Sequence, residues 1–465
     1  MKEPPTVDFK NRVDHLLSLF SESNDLYCRY FQLHGVSGCI LYHSGITDKE
    51  KIQTDVLKPL LAATKIEPLD EILPIVELKY TEDSETLVQG ILQGKCAIIL
   101  DRKPDILLAD VGQNRIRSIT SPENEQTIRG SHEAFIEDVA VNSHLIHKRL
   151  KNPDLVERHF VLGKESLTKA SLLYMDGKAD PAIVQQITTR LQSNNAKIVK
   201  SPGQITETLE LNPWSIMPKV LQTERPDTTV AHLAEGKIVL LLDGCSYAIV
   251  VPATFFIFFQ AADDFNLRWW NGTFFRILRY FGALLTLALP SVYISIISNH
   301  FEVLPIDLVF SLKASLENVP LNPVIEAFFM IIVLELLKEA ALRLPKSISP
   351  ALSTVGGLVI GTEVVRANLV STTMIVVISL TAVASFSLPN YEMRLAFRLI
   401  SIPIMFASAF MGFAGISFSF SLLVMYLCSL ETYGVPYFYP LSPLNPKRLF
   451  IAIFQLPSKL IRSRR

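Results

Sequence analysis

The spacing of apolar positions divides the chain near residue 237. Before that point, short apolar runs alternate with stretches of helical spacing and ordinary surface charge. Beyond it, charges thin out and apolar runs lengthen. The first half contains a repeat. Leu41-Tyr42, Gly45 and Asp48 lead into an amphipathic pattern through Leu61, and Leu173-Tyr174, Gly177 and Asp180 lead into another through Leu191, with the same internal spacing. Each copy reads as a buried strand, a turn, an Asp cap and a helix. Further on, Gly94-Lys95 opens a β-rich run to Leu100-Asp101, and Gly236-Lys237 opens one to Leu242-Asp243. Apolar strands follow both, at 106–111 and 247–251. Turn chemistry alone accounts for the repeated Gly and Asp positions. The expected fold is an α/β N-terminal soluble region of two related subdomains, followed by an α-helical polytopic membrane domain. The subdomains are placed at 1–120 and 121–255, the membrane domain at 256–445 and a basic tail at 446–465.

In the second half, Phe274 to Ser298 forms a good span. Trp269-Trp270 with Arg268, Arg276 and Arg279 suit an interfacial belt before it. Residues 303–319 read as interfacial or partly buried. Residues 324–343 begin apolar and then gain Glu335, Lys338, Glu339 and Arg343, whose i,i+3 and i,i+4 spacings suit an intramembrane charge network. Glu326, close to Pro323, reads as a cap at the helix start. The next apolar helix carries Gly356, Gly357 and Gly361. The G-x-x-x-G of Gly357 and Gly361 lets helix backbones approach closely, within a subunit, between subunits or beside a pore. Glu363 and Arg366 continue this helix, either facing its interior or marking its end at the interface. Residues 371–388 span again. Residues 395–430, about 36 positions or roughly 54 Å as one helix, exceed a single crossing. They read as a long tilted helix or as a hairpin broken near Gly412 and Gly415. Tyr433, Tyr437, Phe438 and Tyr439 suit the interface that follows.

No acid follows Glu431, while Lys447, Arg448, Lys459, Arg462, Arg464 and Arg465 make the tail basic. The excess of positive charge predicts a cytosolic C-terminus. The charged N-terminal stretch, with Pro4 and Pro5, has no apolar signal region, so the N-terminus and the soluble region are expected in the cytosol as well. Both ends inside means an even number of crossings, four, or six if the last segment is a hairpin.

Composition fits this picture and narrows the chemistry. Hydrophobic residues make up 49% and charged residues 19%, against about 25% charged in an ordinary soluble protein. The net charge of −1 gives no reason to expect a nucleic-acid partner. Cys28, Cys39, Cys96, Cys245 and Cys428 are scattered and odd in number, which fits a reducing compartment and argues against a disulfide framework or a zinc site. No P-loop, dinucleotide-binding glycine pattern, metalloprotease motif or nucleophile elbow is present, so no enzyme and no cofactor is expected. Ser166-Leu-Thr-Lys169 lacks the companion motifs of Ser-x-x-Lys enzymes. His132, His144, His147 and His159 cluster along the chain, but no third ligand presents itself, and no metal site is expected.

Several longer motifs occur in order. They include Arg129-Gly-Ser-His-Glu-Ala-Phe-Ile-Glu-Asp-Val-Ala-Val-Asn142, Leu221-Gln-Thr-Glu-Arg-Pro-Asp227, Asp243-Gly244 and Val251-Pro-Ala-Thr-Phe255. In the membrane half they continue with Glu335-Leu-Leu-Lys-Glu-Ala-Ala-Leu-Arg-Leu-Pro345, Gly356-Gly-Leu-Val-Ile-Gly361 and Gly434-Val-Pro-Tyr437. With these motifs the chain resembles the A subunit of bacterial spore germinant receptors over most of its length. The resemblance implies a multi-pass protein of the spore inner membrane that works in nutrient sensing with B and C subunits. The B subunit, which resembles an amino-acid transporter, would hold the nutrient. The A subunit would form a homo-oligomer and a ligand-gated path for monovalent cations. The alternative is a non-conducting membrane scaffold that couples a ligand-binding partner through its cytosolic region. Within the Arg129 to Asn142 motif, Arg129, Glu137, Asp138 and Asn142 are the candidates for a signalling interface, with packing of a helix on its own sheet as the other reading.

Overall fold

The structure is a computed structural model of the chain. It describes all residues except 1–6, 22, 34–35, 64–68, 102, 114–120, 194–195, 200, 211, 213, 318, 346–348 and 457–465. The tail cations Lys459, Arg462, Arg464 and Arg465 therefore lie outside the described residues. The chain divides into two compact units, residues 1–213 with 220–253, and residues 214–219 with 254–465.

The first unit is built twice from one plan. The first copy opens with α1 (Val7–Ser18), then the hairpin of β1 (Leu26–Leu33) and β2 (Val36–His43). Asp48 then caps α2 (Lys49–Lys51), accepting from the backbone N–H groups of Glu50 and Lys51. A π-helical turn (Ile52–Leu57) carries α2 into α3 (Lys58–Ala62). After α4 (Leu69–Ile72) come β3 (Leu78–Thr81), α5 (Ser84–Leu92), β4 (Lys95–Leu100) and β5 (Ile106–Asp110). The strands form an antiparallel sheet in the order β1-β2-β4-β5-β3.

The central strands are apolar at nearly every position because helices cover both faces of the sheet. Alternation along each strand sends Leu41, Ala97, Ile99 and Leu108 to the face under α1 and α5, where they meet Phe9, Val13, Leu87 and Ile91. Ile40, Ile98, Leu100 and Leu107 go to the other face, against Ile52, Val56 and Leu60. Each such leucine or isoleucine, fully buried, contributes about 1.5–3 kcal/mol.

The second copy runs α6 (Val139–Arg149), β6 (Leu155–Leu162), β7 (Thr168–Met175), α7 (Pro181–Gln192) and α8 (Pro202–Leu209). It ends with β8 (Leu221–Thr223), α9 (Pro226–Ala234), β9 (Ile238–Leu242) and β10 (Ala248–Val251). Its sheet order, β6-β7-β9-β10-β8, matches the first strand for strand, so the expected pair of related α/β subdomains is present. Asp180 caps α7 as Asp48 caps α2. The two Gly-Lys sites are also equivalent. Gly94 and Gly236 follow α5 and α9 with φ of 92° and 88°, the left-handed conformation that turns a helix end into the next strand and favours glycine.

One expectation about the cysteines is corrected. Cys28 pairs in register with Leu41, and Cys39 with Tyr30, so the two cysteines are diagonal neighbours on adjacent strands. The structure joins them as a disulfide across the hairpin. Cys96, Cys245 and Cys428 are free.

The second unit is helical. A turn at Phe255–Phe259 precedes α10 (Ala262–Asn266), α11 (Trp269–Asn299), α12 (Ile306–Leu316) and α13 (Pro323–Arg343). Then come α14 (Ser349–Arg366), α15 (Thr372–Phe386) and α16 (Tyr391–Ser429). A small hairpin of β11 (Glu431–Thr432) and β12 (Val435–Pro436) leads to α17 (Pro446–Ile453). Among the described residues, α11 and α16 are long and apolar enough to cross a membrane. The long segment does break near the expected glycine. Gly412 leaves the helical conformation at φ 59° and ψ −139°, and a Cβ on Gly415 would strike the carbonyl of Ala407. In an unbroken helix positions eight apart are separated by about 12 Å, so the chain turns back on itself there.

Some aromatic and basic residues read as interfacial are instead internal. Tyr433, Tyr437 and Phe438 are buried, the last two in a ring cluster with Phe255 and Phe256. Arg276 and Arg279 turn inward to Asp264, at 3.4 and 2.7 Å. Arg276 also donates to the carbonyls of Ile451 and Ala452 on α17. A fully buried carboxylate draws the guanidinium groups in, because neither charge tolerates burial alone.

Candidate functional site

The charged positions of the helical unit separate into a seam and two outer pairs. On α13, Glu335 accepts from Arg398 Nη1 of α16 at 2.7 and 2.8 Å and from Lys338 Nζ at 3.3 Å. Arg398 Nη2 reaches Ser385 Oγ of α15 at 3.4 Å. Thus one carboxylate and one guanidinium tie three helices together. Lys338 and Arg394 both lie over the Phe386 ring, at 5.2 and 5.5 Å from its centroid. Glu339 and Arg343 pair with each other on the exposed flank of α13, at 2.5 Å. The four charges read from the sequence as one network are therefore two separate groups, joined by no ion pair with each other among the described residues.

Beside this seam stands α14. Gly356 faces Leu337 of α13, where a Cβ would sit at 3.4 Å. Gly357 and Gly361 face open space, with nothing within 4 Å of an added Cβ among the described residues. Leu358 and Val359 beside them are exposed. Glu363 and Arg366 pair at 2.8 Å near the end of the helix, both exposed. Glu326, read as a cap for its own helix, serves α15 instead. Asn322 caps α13, while Glu326 Oε2 accepts from Ser371 N and Oγ at 3.0 Å each, at the start of α15.

In the first unit, three of the longer motifs converge on the start of α6. Asp138 caps that helix through Ala140 and Val141. Asn142, fully buried, accepts from Ile136 N at 2.9 Å and donates to Ile136 O at 2.5 Å, locking the preceding loop. Asp243 accepts from Val139 N at 3.3 Å. Gly244 N donates to Glu137 O at 2.7 Å.

Arg225 holds the remaining motif to this loop. It is 1% exposed, pairs with Asp227 at 2.6 Å, and donates to the carbonyls of Glu125 and Ser131 and to Thr127 Oγ1. Its neighbour Glu224 accepts from the backbone of Glu123 and Asn124. Glu125 accepts from Thr223 Oγ1 and Glu224 N. Burial, with the Glu224 charge adding to it, pushes the Glu125 carboxyl up to about 7. The side chains of Arg129 and Glu137 are exposed on the outside of this clasp. Of the sequence candidates here, Asp138 and Asn142 are structural fastenings in the geometry, and Arg129 and Glu137 present surface charge.

Reading the sequence missed Arg398, Arg225 and Asp264, and it gave Glu326 the wrong helix to serve. Arg398 carried a signal, a cation inside a long apolar run. Arg225 stood beside Asp227 inside one of the quoted motifs, but its other partners, at 125–131, lie far away along the chain, and nothing marked Asp264 as the partner of Arg276 and Arg279.

The Bacillus/Clostridium GerA spore germination protein family matches residues 14–465. Spore germination protein A1 of Bacillus subtilis (strain 168) is 32% identical over 461 residues, covering 97% of this chain and 95% of that protein. The chain belongs to the GerA spore germination protein family. This is the family of germinant-receptor A subunits to which the motifs pointed. Spore germination protein B1 of the same organism is 31% identical, covering 98% of this chain and 96% of the relative. The uncharacterized membrane protein YfkQ, also from Bacillus subtilis, is 33% identical over 95% of this chain and 87% of its own length. Among solved structures, the N-terminal domain of the A subunit of the Bacillus megaterium spore germinant receptor GerK3 aligns with 53% of this GerA-family chain and 95% of its own, at 22% identity and a TM-score of 0.41.

Proposed function

We propose that this GerA-family chain acts in a nutrient-responsive receptor of the spore inner membrane, together with B and C subunits. Several copies assemble through α14 and form a gated path for monovalent cations, while a partner subunit holds the nutrient. Both termini and the duplicated α/β unit face the cytosol in this reading. The observation that carries it is the open glycine face. Gly357 and Gly361 lie one helical turn apart, and no described atom of their own subunit would touch a Cβ at either. A small-residue face on an apolar helix gains its stability from close contact with another helix. The seam of Glu335 and Arg398 supports this by holding α13, the helix beside α14, against α16.

Cross-linking tests the assembly. In a Cys428→Ser background, Gly361→Cys should give disulfide-linked dimers of the full chain in membranes under mild oxidation. Cysteine placed on the outer flank at Glu339 should give far less. Equal cross-linking at both positions, or none at Gly361→Cys, would count against assembly through α14.

A further inference from the structure

The two copies of the α/β plan meet at a group of histidines and carboxylates that the receptor reading does not use. Asp25 stands just before β1 and His43 ends β2, both in the first copy. His147 lies in the last turn of α6, and Glu157 and His159 lie on β6, all in the second. Asp25, His43, His147 and Glu157 are at most 3% exposed. His159 is half-open to solvent, with 45% of its side chain exposed. Ligand atoms of Asp25, His43 and His147 fall within 4.8 Å of one another, and so do those of Asp25, Glu157 and His159.

Each carboxylate has one satisfied and one orphaned oxygen. Asp25 Oδ1 meets Ser44 Oγ at 3.0 Å and His159 Nε2 at 2.9 Å. Glu157 Oε2 meets Ser143 Oγ at 2.5 Å and His147 Nε2 at 2.9 Å. Asp25 Oδ2 and Glu157 Oε1 are buried without a hydrogen-bond partner. Such an oxygen costs about 1–3 kcal/mol or more when left unsatisfied. No lysine or arginine pairs with either carboxylate among the described residues. The orphaned oxygens are instead flanked by imidazole nitrogens, Asp25 Oδ2 by His147 Nε2 at 4.0 Å and Glu157 Oε1 by His159 Nδ1 at 3.8 Å.

We propose that this seam is a binding site for one first-row divalent cation of the zinc class, with Asp25 as the common ligand and Glu157, His147 and His159 completing the set. Tetrahedral zinc bonds of about 2.0–2.2 Å to nitrogen and oxygen put ligand atoms roughly 3.3–3.5 Å apart. The two orphaned oxygens stand 3.8 and 4.0 Å from their imidazole neighbours, a few tenths of an ångström wider than that, so small side-chain rotations would close the set around an ion. A mixed imidazole and carboxylate set suits zinc and its neighbours and not calcium or magnesium. His43 is not a ligand. Its Nδ1 accepts from Gly45 N at 3.2 Å, so its Nε2 carries the proton, and it forms a wall of the site. The half-open His159 gives the ion a way in. Because ligands come from both copies, the ion would fasten one subdomain to the other.

The test uses the full chain purified in detergent, stripped with a chelator, then loaded with zinc and desalted. Wild type should retain a stoichiometric zinc ion per chain, measured by mass spectrometry of the metal, and zinc should raise its melting temperature. Cobalt in its place should give the visible absorption of a tetrahedral site. Asp25→Asn with Glu157→Gln should lose retention, the melting shift and the cobalt spectrum. Wild type that retains no zinc and gives no cobalt spectrum would overturn the proposal, and this arm does not depend on the variant folding. Equal zinc retention by a folded double variant would overturn it too.

Discussion

At the residue scale, several polar side chains are buried with partners far away along the chain, and each is costly to remove. Arg225 is the strongest case in the α/β unit. Its guanidinium satisfies the 125–131 loop, and Asp227 neutralises it. Arg225→Ala removes the donor and leaves a carboxylate and several carbonyls without it. The expected loss is about 3–5 kcal/mol, read as a lower melting temperature of the full chain. Glu125 gives a pH signature. Its folded pKa, about 7, lies above the ordinary value near 4.5. The folded state therefore binds the proton more tightly, and stability falls as pH rises from about 4.5 to 7. Glu125→Gln keeps an oxygen for Thr223 Oγ1 and Glu224 N. It should raise the melting temperature at about pH 8 relative to wild type, leave it nearly unchanged at about pH 4, and flatten the slope between. An unchanged pH slope in the variant would show that Glu125 is not its source.

At the element scale, the helical unit depends on one break and one cross-helix pair. Gly412 has a positive φ, and a Cβ there would strike His300. Gly412→Ala should cost about 1–3 kcal/mol through strain alone, seen as faster proteolysis of the membrane-embedded chain. Glu335→Gln weakens the tie to Arg398. Since Glu335 is partly exposed, the expected cost is about 1–2 kcal/mol, and exchanging the two charges should recover part of it. The elements themselves were largely legible in the sequence. Asp48 and Asp180 announced the helix starts, and the apolar runs announced the sheet cores. The break at Gly412 was one of two open alternatives, because a glycine in an apolar helix permits a turn without requiring one. Interfacial roles for Arg276, Arg279 and Tyr437 were reasonable from composition, and tertiary partners overrode them. The Cys28–Cys39 contact depended on a hairpin register that spacing alone did not give.

At the scale of the whole molecule, the duplication was readable because each copy carries the same turn residues at the same spacing. The second strand of each hairpin, β2 and β7, was legible, while α1 and the first strands β1 and β6 went unnoticed, since their side chains share no such signature. The candidate site was only partly readable. The glycines and the charges on α13 stood out, but which charge found which partner was decided by helices far apart in the chain, and Arg398 supplied the deciding contact.

The central claim is that the open face of α14 serves a conducting assembly. The most direct measurement is potassium release on nutrient addition from cells expressing the chain with its B and C partners. Wild type is compared with Gly361→Leu after both are shown to reach the membrane equally. A Cβ at Gly361 meets nothing within 4 Å among the described residues, so the fold should be retained within about 0.5 kcal/mol. The account predicts release from wild type and its loss in the variant. Undiminished release from a stably assembled Gly361→Leu receptor, or no release from an assembled wild type, would contradict it.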